Sequence, residues 1–521
     1  MINSSEKELT SYHIVLVLLI VVASVYFLYV TNQGLVMTPD SVVYLGAAQS
    51  LGQGNGLLVP FGFPPNQPLT QFPPLVPYAI FTLSQSGLSL LNSGMVLNLL
   101  LLVAFILVMD RLLTTLLGKK NILTLILLTF VVISLINSFL FTTLGSEPLM
   151  IVLGLTGFNW LIISETKGKQ HILLVAGLLM ALTLASRYAG ITYLAASIIV
   201  ILIFSNGTWR NKIWKVVVLS TPGMLFLAWW FLRDTGMRIT ATNRLLLIHP
   251  IDTAQIGDAI DTISHWFLIS TNSQILFKLT ATITFILISL FVIFKTYSKQ
   301  QMDSASLLEK LLVTFILIYP IFLILSITLL DANIPLDYRL LSPIFVLIPC
   351  IVVLFIKFLS ENKQKLKRPL LLFFFSLFTV FSAVMLLQNR SFIHDVHQFG
   401  FGFNYSEFKN NPVFAYLVSR EQPAIFVSNA PEPVFLFTRQ EVFSFPRRFN
   451  DMEDRNNPEF DHQVSMLKKE YLKDSAYFIF FEKIPGGNLD EQRFYQQQFG
   501  LSLAEEYQDV VIYTYMPGHK P

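Results

Sequence analysis

The sequence predicts an α-helical, polytopic membrane protein followed by a water-soluble α/β domain, and three observations carry that prediction. Apolar stretches long enough to span a bilayer recur through residue 388. Only 13% of the 521 residues are charged and 53% are hydrophobic, about half the charged share of an ordinary soluble protein. After Gln388 the charged residues return, together with short β-rich runs. A chain crossing hydrocarbon must satisfy its backbone N–H and C=O groups internally, so the apolar stretches are expected as helices. A closed barrel would show short alternating segments instead.

The first apolar stretch, Ile14 to Val30, is preceded by Glu6, Lys7 and Glu8 and lacks a small-residue cleavage pattern. It is expected to remain as a span over 14–32. Ten further spans follow at 89–110, 121–142, 147–164, 171–186, 189–205, 212–232, 274–294, 309–330, 338–357 and 369–388, about eleven in all. Basic residues then gather in alternate loops. These are Arg111, Lys119 and Lys120; Lys167 and Lys169; Arg210, Lys212 and Lys215; Lys295, Lys299 and Lys310; and Lys357, Lys363, Lys365, Lys367 and Arg368. By the positive-inside rule these loops are cytoplasmic, as is the N-terminus. Loops 33–88, 233–273 and 331–337 and the C-terminal domain are then outside. Phe72 to Leu88 is apolar but short and opens with Pro73-Pro74, which suits an interfacial helix; as a span it would invert every later loop.

Two domains are expected, a membrane module over 1–388 with its first outer loop at 33–88, and an extracytoplasmic α/β domain over 389–521. Strands are expected at 424–428, 434–437, 476–481 and 510–515. The single cysteine, Cys350, lies in an apolar stretch, so no intrachain disulfide is possible and a small core residue is expected. A net charge of +3 spread over short loops argues against a nucleic-acid partner. No internal repeat is evident.

Between Glu8 and Asp110 the one formally charged residue is Asp40. Thr38 suits an N-cap and Pro39 a first helical position, which puts Asp40 in the first turn of a helix running to Gly52, with Gly54 and Gly56 beyond it. Glu147 stands likewise before Pro148 at a helix start. Either acid can be a plain first-turn residue. Their company favours function, because Arg187, Asp331, Asp337 and Arg339 also fall at outer ends of spans whose interiors are nearly free of charge. An arginine there suggests a bound anion, and snorkelling or pairing with Glu147 are the alternatives.

The basic outer loop with Arg233, Arg238, Arg244, His249 and His265 either closes over a headgroup or pairs with lipid phosphates. Glu147, His249 and His265 are too scattered to predict a metal site, and no obligatory metal is expected. Asn98, Asn137 and Asn159 are expected to hydrogen-bond between helices. His394 and His397 are expected as a solvated pair, and the sequon at Asn404 carries no weight.

Five segments together resemble the GT-C glycosyltransferases, nearest the branch of protein O-mannosyltransferases and lipid A aminoarabinose transferases. They are Thr38-Pro39-Asp40-Ser41 with Tyr44 and Gln53-Gly54-Asn55-Gly56; Pro68 to Leu75; Leu144-Gly145-Ser146-Glu147-Pro148; Ser186-Arg187-Tyr188-Ala189-Gly190; and Asp337 to Pro343. The resemblance implies a GT-C-like membrane module with interfacial helices in the first outer loop. It implies an inverting transferase that moves a sugar from a polyprenyl-phosphate carrier to a glycan, lipid or protein acceptor at the outer membrane face. Asp40 and Glu147 become the catalytic candidates. Tyr44, Gln71, Arg187, Tyr188, Tyr338, Arg339 and His249 become the substrate-binding ones. Many relatives carry a second acid beside or two residues after the first, whereas Ser41 and Val42 stand here, so a two-carboxylate metal site in this loop is in doubt. The expected setting is a bacterial inner membrane, with membrane lipids as partners.

Two other classes remain as alternatives. A transporter or flippase would place charges near the membrane midplane on broken or repeated helices. A non-catalytic envelope assembly protein would work through residues 389–521.

Overall fold

The structure is a computed structural model, and it describes residues 4–234, 246–269, 272–299, 303–360, 364–420, 424–472, 475–482 and 489–516. The chain forms two compact units. One comprises residues up to Asn32, Thr70–Val76 and Val96–His397; the other comprises Gln33–Leu69, Pro77–Met95 and the chain from Gln398 on. The second unit therefore joins parts of the first loop to the C-terminal region.

Among the described residues, eight helices are long and apolar enough to cross a membrane: Thr10–Val30, Leu90–Leu117, Glu147–Lys167, Trp209–Arg233, Ile275–Tyr297, Ser304–Leu329, Tyr338–Leu359 and Pro369–Gln388. The other three expected spans fall on the shorter apolar helices Ile122–Asn137, Gln170–Ser186 and Tyr188–Phe204. At a rise of about 1.5 Å per residue such helices fall short of a hydrocarbon core about 30 Å thick. The interfacial segment contains a ten-residue helix, Leu75–Ser84.

Local chemistry sets the helix starts. Asn121 caps Ile122–Asn137 by accepting from the Thr124 N–H at 3.2 Å, and Asp303 caps Ser304–Leu329 by accepting from the Ser306 N–H at 2.8 Å. Inside the first unit small residues permit close approach: a Cβ on Gly154 would lie 2.5 Å from the Tyr193 ring. Tyr193 packs there on Phe158 and Phe315, at centroid distances of 5.3 and 4.2 Å.

Of the three intramembrane amides, Asn137 bonds between helices as expected, accepting from the Tyr26 hydroxyl. Asn98 instead ties its helix to the connection after Ile122–Asn137, donating to the carbonyls of Phe141 and Thr143 at 2.7 and 2.6 Å. Asn159 differs, donating to Leu155 O of its own helix. Of the expected solvated histidine pair, His394 is exposed, and only His397 differs. His397 stacks on Tyr29 at 4.0 Å with Nδ1 2.8 Å from the Tyr29 carbonyl oxygen, because its helix, Arg390–Phe399, returns to the end of the first span.

The second unit is built on a six-stranded mixed sheet. Its strands are β1 (Phe61–Gly62), β2 (Ile425–Ser428), β3 (Val442–Ser444), β4 (Ala476–Phe481), β5 (Ser502–Tyr507) and β6 (Val510–Tyr515), in the order β1-β3-β2-β4-β6-β5. The first four neighbours pair in parallel, and β6 runs antiparallel to both β4 and β5. Phe445, Phe478, Phe480, Tyr495 and Phe499 pack as one buried cluster beside it.

β1 comes from the first loop, so the sheet is completed by a segment more than 350 residues upstream of its neighbour. Asn404 binds the same loop, donating to Leu35 O at 2.7 Å from a site 8% exposed. Of the four strands expected, 434–437 is corrected to part of a helix, Pro431–Thr438. The apolar run is too short to set its own period, and Pro431 at the first helical position decides it.

Candidate active site

In the second unit, Thr38 accepts from the Ser41 N–H at 3.4 Å while Ser41 Oγ accepts from the Thr38 N–H at 3.0 Å, forming a capping box. The helix it opens runs Pro39–Gly52, with Asp40 in its first turn. That carboxylate sits where N–H groups and the helix dipole favour negative charge. Gly46 lets Pro60 and Phe435 close on this helix; an added Cβ would lie 2.8 and 3.4 Å from them. Phe435 belongs to Pro431–Thr438, whose own first turn holds Glu432.

Glu432 thus repeats the arrangement of Asp40, a proline followed by an acid at a helix start, on a helix packed against the first. Burial pushes its carboxyl above the usual range, and the charge of Asp40 adds to the rise against the opposing pull of Arg447. Sequence reasoning missed Glu432 because it read the following residues as a strand; the shared proline–acid pattern was the available signal. Tyr44 is 1% exposed, so its ring belongs to the packing of this unit.

In the first unit the ends of three helices converge. Glu147 opens Glu147–Lys167, Arg187 closes Gln170–Ser186, and Arg339 lies in the first turn of Tyr338–Phe345. Glu147 Oε1 accepts from Arg187 Nη1 at 2.8 Å and lies 3.2 Å from Arg339 Nε. Arg187 Nη1 also donates to Ser146 Oγ at 2.9 Å. The Glu147 side chain is only 3% exposed, whereas those of Arg187 and Arg339 are 16% and 27% exposed. A buried carboxylate therefore fixes two guanidinium groups that still reach solvent.

The surrounding hydroxyls are held firmly. Tyr188 donates to Thr70 O at 3.0 Å and accepts from Trp230 Nε1 at 2.9 Å, and Tyr319 donates to Leu340 O at 2.7 Å. Gln71, beside Thr70, is exposed. Asp337 caps the helix of Arg339, accepting from the Arg339 and Leu340 N–H groups at 3.0 Å each; burial pushes its carboxyl up, against the pull of those N–H groups and of Arg339.

Asp337 and Tyr338 also line a cavity of about 440 Å³ with Asp258, Asp261 and His265. Asp261 is paired there with Lys278 at 2.7 Å. His249 is 5% exposed and its backbone N–H donates to Thr328 O at 2.8 Å. Arg238 and Arg244 lie outside the described residues. Among the described residues no three His, Cys, Asp or Glu side chains come together as a metal site. The candidates thus fall into two groups, Asp40 and Tyr44 in the second unit and the remainder in the first.

No protein-family model matches the chain, and neither does any curated protein. Solved structures do. ArnT from Cupriavidus metallidurans, in the apo state, matches with a TM-score of 0.55 at 11% identity over 97% of this chain and 98% of its own. The same protein bound to undecaprenyl phosphate gives 0.50 at 10% identity over 96% and 98%. The archaeal oligosaccharyltransferase AglB from Archaeoglobus fulgidus, in complex with an inhibitory peptide and a dolichol-phosphate, gives 0.53 at 10% identity over 97% and 75%. At these identities the likeness is one of fold. The chain is an integral membrane protein with the GT-C fold expected from its motifs.

Proposed function

From the GT-C fold as premise, we propose that this protein is an inverting glycosyltransferase that moves a sugar from a polyprenyl-phosphate carrier to an acceptor at the outer membrane face. The observation that carries the reading is the convergence of Arg187 and Arg339 on one buried carboxylate, Glu147, at the ends of three helices. Two preset guanidinium groups match the oxygens of a phosphate and stabilise the charge that grows on it as it leaves. The neighbours named for undecaprenyl phosphate and dolichol-phosphate support the same donor class.

In this reading an acceptor oxygen attacks the anomeric carbon as the bond from that carbon to the phosphate oxygen breaks. The bonding pair leaves with the polyprenyl phosphate, and the acceptor proton passes to Asp40. A phosphate is already a good leaving group, so one base suffices where glycoside hydrolysis uses two carboxylates. Glu147, paired with both arginines, acts as their positioning residue. Tyr188 and Tyr338 contribute to substrate binding, with Gln71 and His249 beside them. No obligatory metal is assigned.

The topology follows the basic loops, with the N-terminus cytoplasmic and residues 389–521 extracytoplasmic in a bacterial inner membrane. The test is transfer by purified protein in liposomes offered a panel of polyprenyl-phosphate sugars, with Asp40→Asn alongside and chelator present or absent. Transfer that disappears in a folded Asp40→Asn protein is expected; normal transfer by that variant removes the role of Asp40. Absence of both turnover and binding for every donor overturns the reading.

A further inference from the structure

Ser41 and Val42, which follow Asp40, are fully buried, and Ser41 closes the capping box. Neither position can carry an ionised second acid. A second carboxyl reaches the same region of the second unit from the C-terminal part of the chain. Helices Pro39–Gly52 and Pro431–Thr438 pack side by side and run parallel. Gly46 faces Phe435, whose ring an added Cβ would meet at 3.4 Å, and further along both helices Gln49 Nε2 donates to Arg439 O at 3.4 Å. Counting back about one turn from the Gly46–Phe435 contact brings Glu432 level with Val42 and Val43, roughly 4 Å of helical rise from Asp40.

Glu432 is half-buried, between the buried Pro431 and Pro433. The charged groups that act on it are Asp40 and, in the opposite sense, Arg447 from the chain after β3. Arg447 is shared, because it also acts on Glu491 and lies 3.5 Å from Asp451, with its side chain 54% exposed. The other elements packed on Pro431–Thr438, which are Pro412–Val418 and strands β1, β2 and β3, carry no charged side chain. Burial and the charge of Asp40 therefore hold the Glu432 proton to higher pH than in an ordinary glutamate. Two carboxyls coupled in this way ionise in two steps that belong to the pair.

We propose that Glu432 is the positioning residue of the base: it stands as a second carboxylate beside Asp40 and strengthens Asp40 as a base through its like charge. The proposal rests on the reading of Asp40 as the base and adds a residue from the C-terminal region to that reaction. The acceptor proton passes to Asp40 as before and leaves from there to solvent. Glu432 takes no part in bond making or breaking and acts through its charge, which favours the arrival of a proton on its neighbour.

The test is the pH profile of kcat/KM for full-length protein in liposomes, with the polyprenyl-phosphate sugar that the donor panel identifies. Wild type should rise in two steps, the upper one as Glu432 ionises. Glu432→Gln should lose the upper step and reach a plateau about threefold lower, the scale of a base weakened by roughly one pH unit. Glu432→Asp should keep the upper step. A variant that merely packs poorly lowers the whole profile without removing a step. A single step in wild type, or two in Glu432→Gln, overturns the proposal. Melting in detergent reads the pair without turnover: the relative stability that Glu432→Gln gains from acid to neutral pH should shrink in an Asp40→Asn background. An undiminished gain in protein that transfers sugar overturns this proposal alone. A diminished gain in protein that transfers none overturns the role of the pair together with the transferase reading.

Discussion

Replacing Glu147 by glutamine tests whether this residue holds the two arginines or performs chemistry itself. The substitution preserves shape and an acceptor oxygen but removes the charge on which Arg187 and Arg339 converge, at 2.8 and 3.2 Å. At 4 Å and an effective dielectric constant of 20, one such pair is worth about 4 kcal/mol before desolvation. Removing one partner from a buried pair typically costs about 3–5 kcal/mol. The arginines keep 16% and 27% of their side-chain exposure, and water screening lowers the expected loss to about 2–3 kcal/mol.

A fall in unfolding midpoint of roughly 5 °C is the corresponding signal in a detergent thermal scan. Arg187→Met should then cost less in the Glu147→Gln background than in wild type, with a coupling of about 1–2 kcal/mol. In transfer assays KM for the carrier-linked sugar should rise more than kcat falls, because the lost function is placement of the phosphate ligands. A midpoint unchanged within 1 °C or so, or additive effects of the two substitutions, would refute the electrostatic account. Complete loss of kcat with unchanged donor binding would make Glu147 a catalytic group instead.

Asp40→Asn should abolish transfer while costing at most about 1 kcal/mol of stability, the scale of a first-turn charge on a helix dipole. Glu432 has its carboxyl raised by burial and by Asp40, so the folded state holds its proton more tightly than the unfolded chain does. The resulting stability is fully present below the ordinary value of 4.5 and is lost as pH rises through the folded value. Melting Glu432→Gln and wild type from acid to neutral pH should therefore show the variant gaining relative stability as pH rises, and parallel curves would exclude the linkage. Gly154→Ala should lower the midpoint through about 1–3 kcal/mol of overpacking, because its Cβ would meet the Tyr193 ring at 2.5 Å; an unchanged midpoint would show that the ring can move aside.

The helix Pro39–Gly52 was legible to its ends because its signals are local: a Thr38 cap, Pro39 at the first position, and glycines beyond. The apolar helices were legible in place and order but not at their ends, and three of the four expected strands were found. Residues 434–437 were misread because four apolar residues have no period of their own. The arginines at 187 and 339 were conspicuous in sequence, but a bound anion and a pair with Glu147 were equal readings until the helix ends were seen to meet.

Sequence alone determined the bilayer as the main solvent, the helices that satisfy their backbone within it, and the charges reserved for their ends, because each follows from the composition of a short stretch. Only the tertiary structure decided that β1 of the first loop completes a C-terminal sheet, that Glu147 binds two arginines at once, and that Glu432 stands on a helix packed against that of Asp40. Those pairings join residues tens to hundreds of positions apart, and no local period or cap encodes them; they are fixed when buried apolar faces and complementary charges find one arrangement that satisfies both.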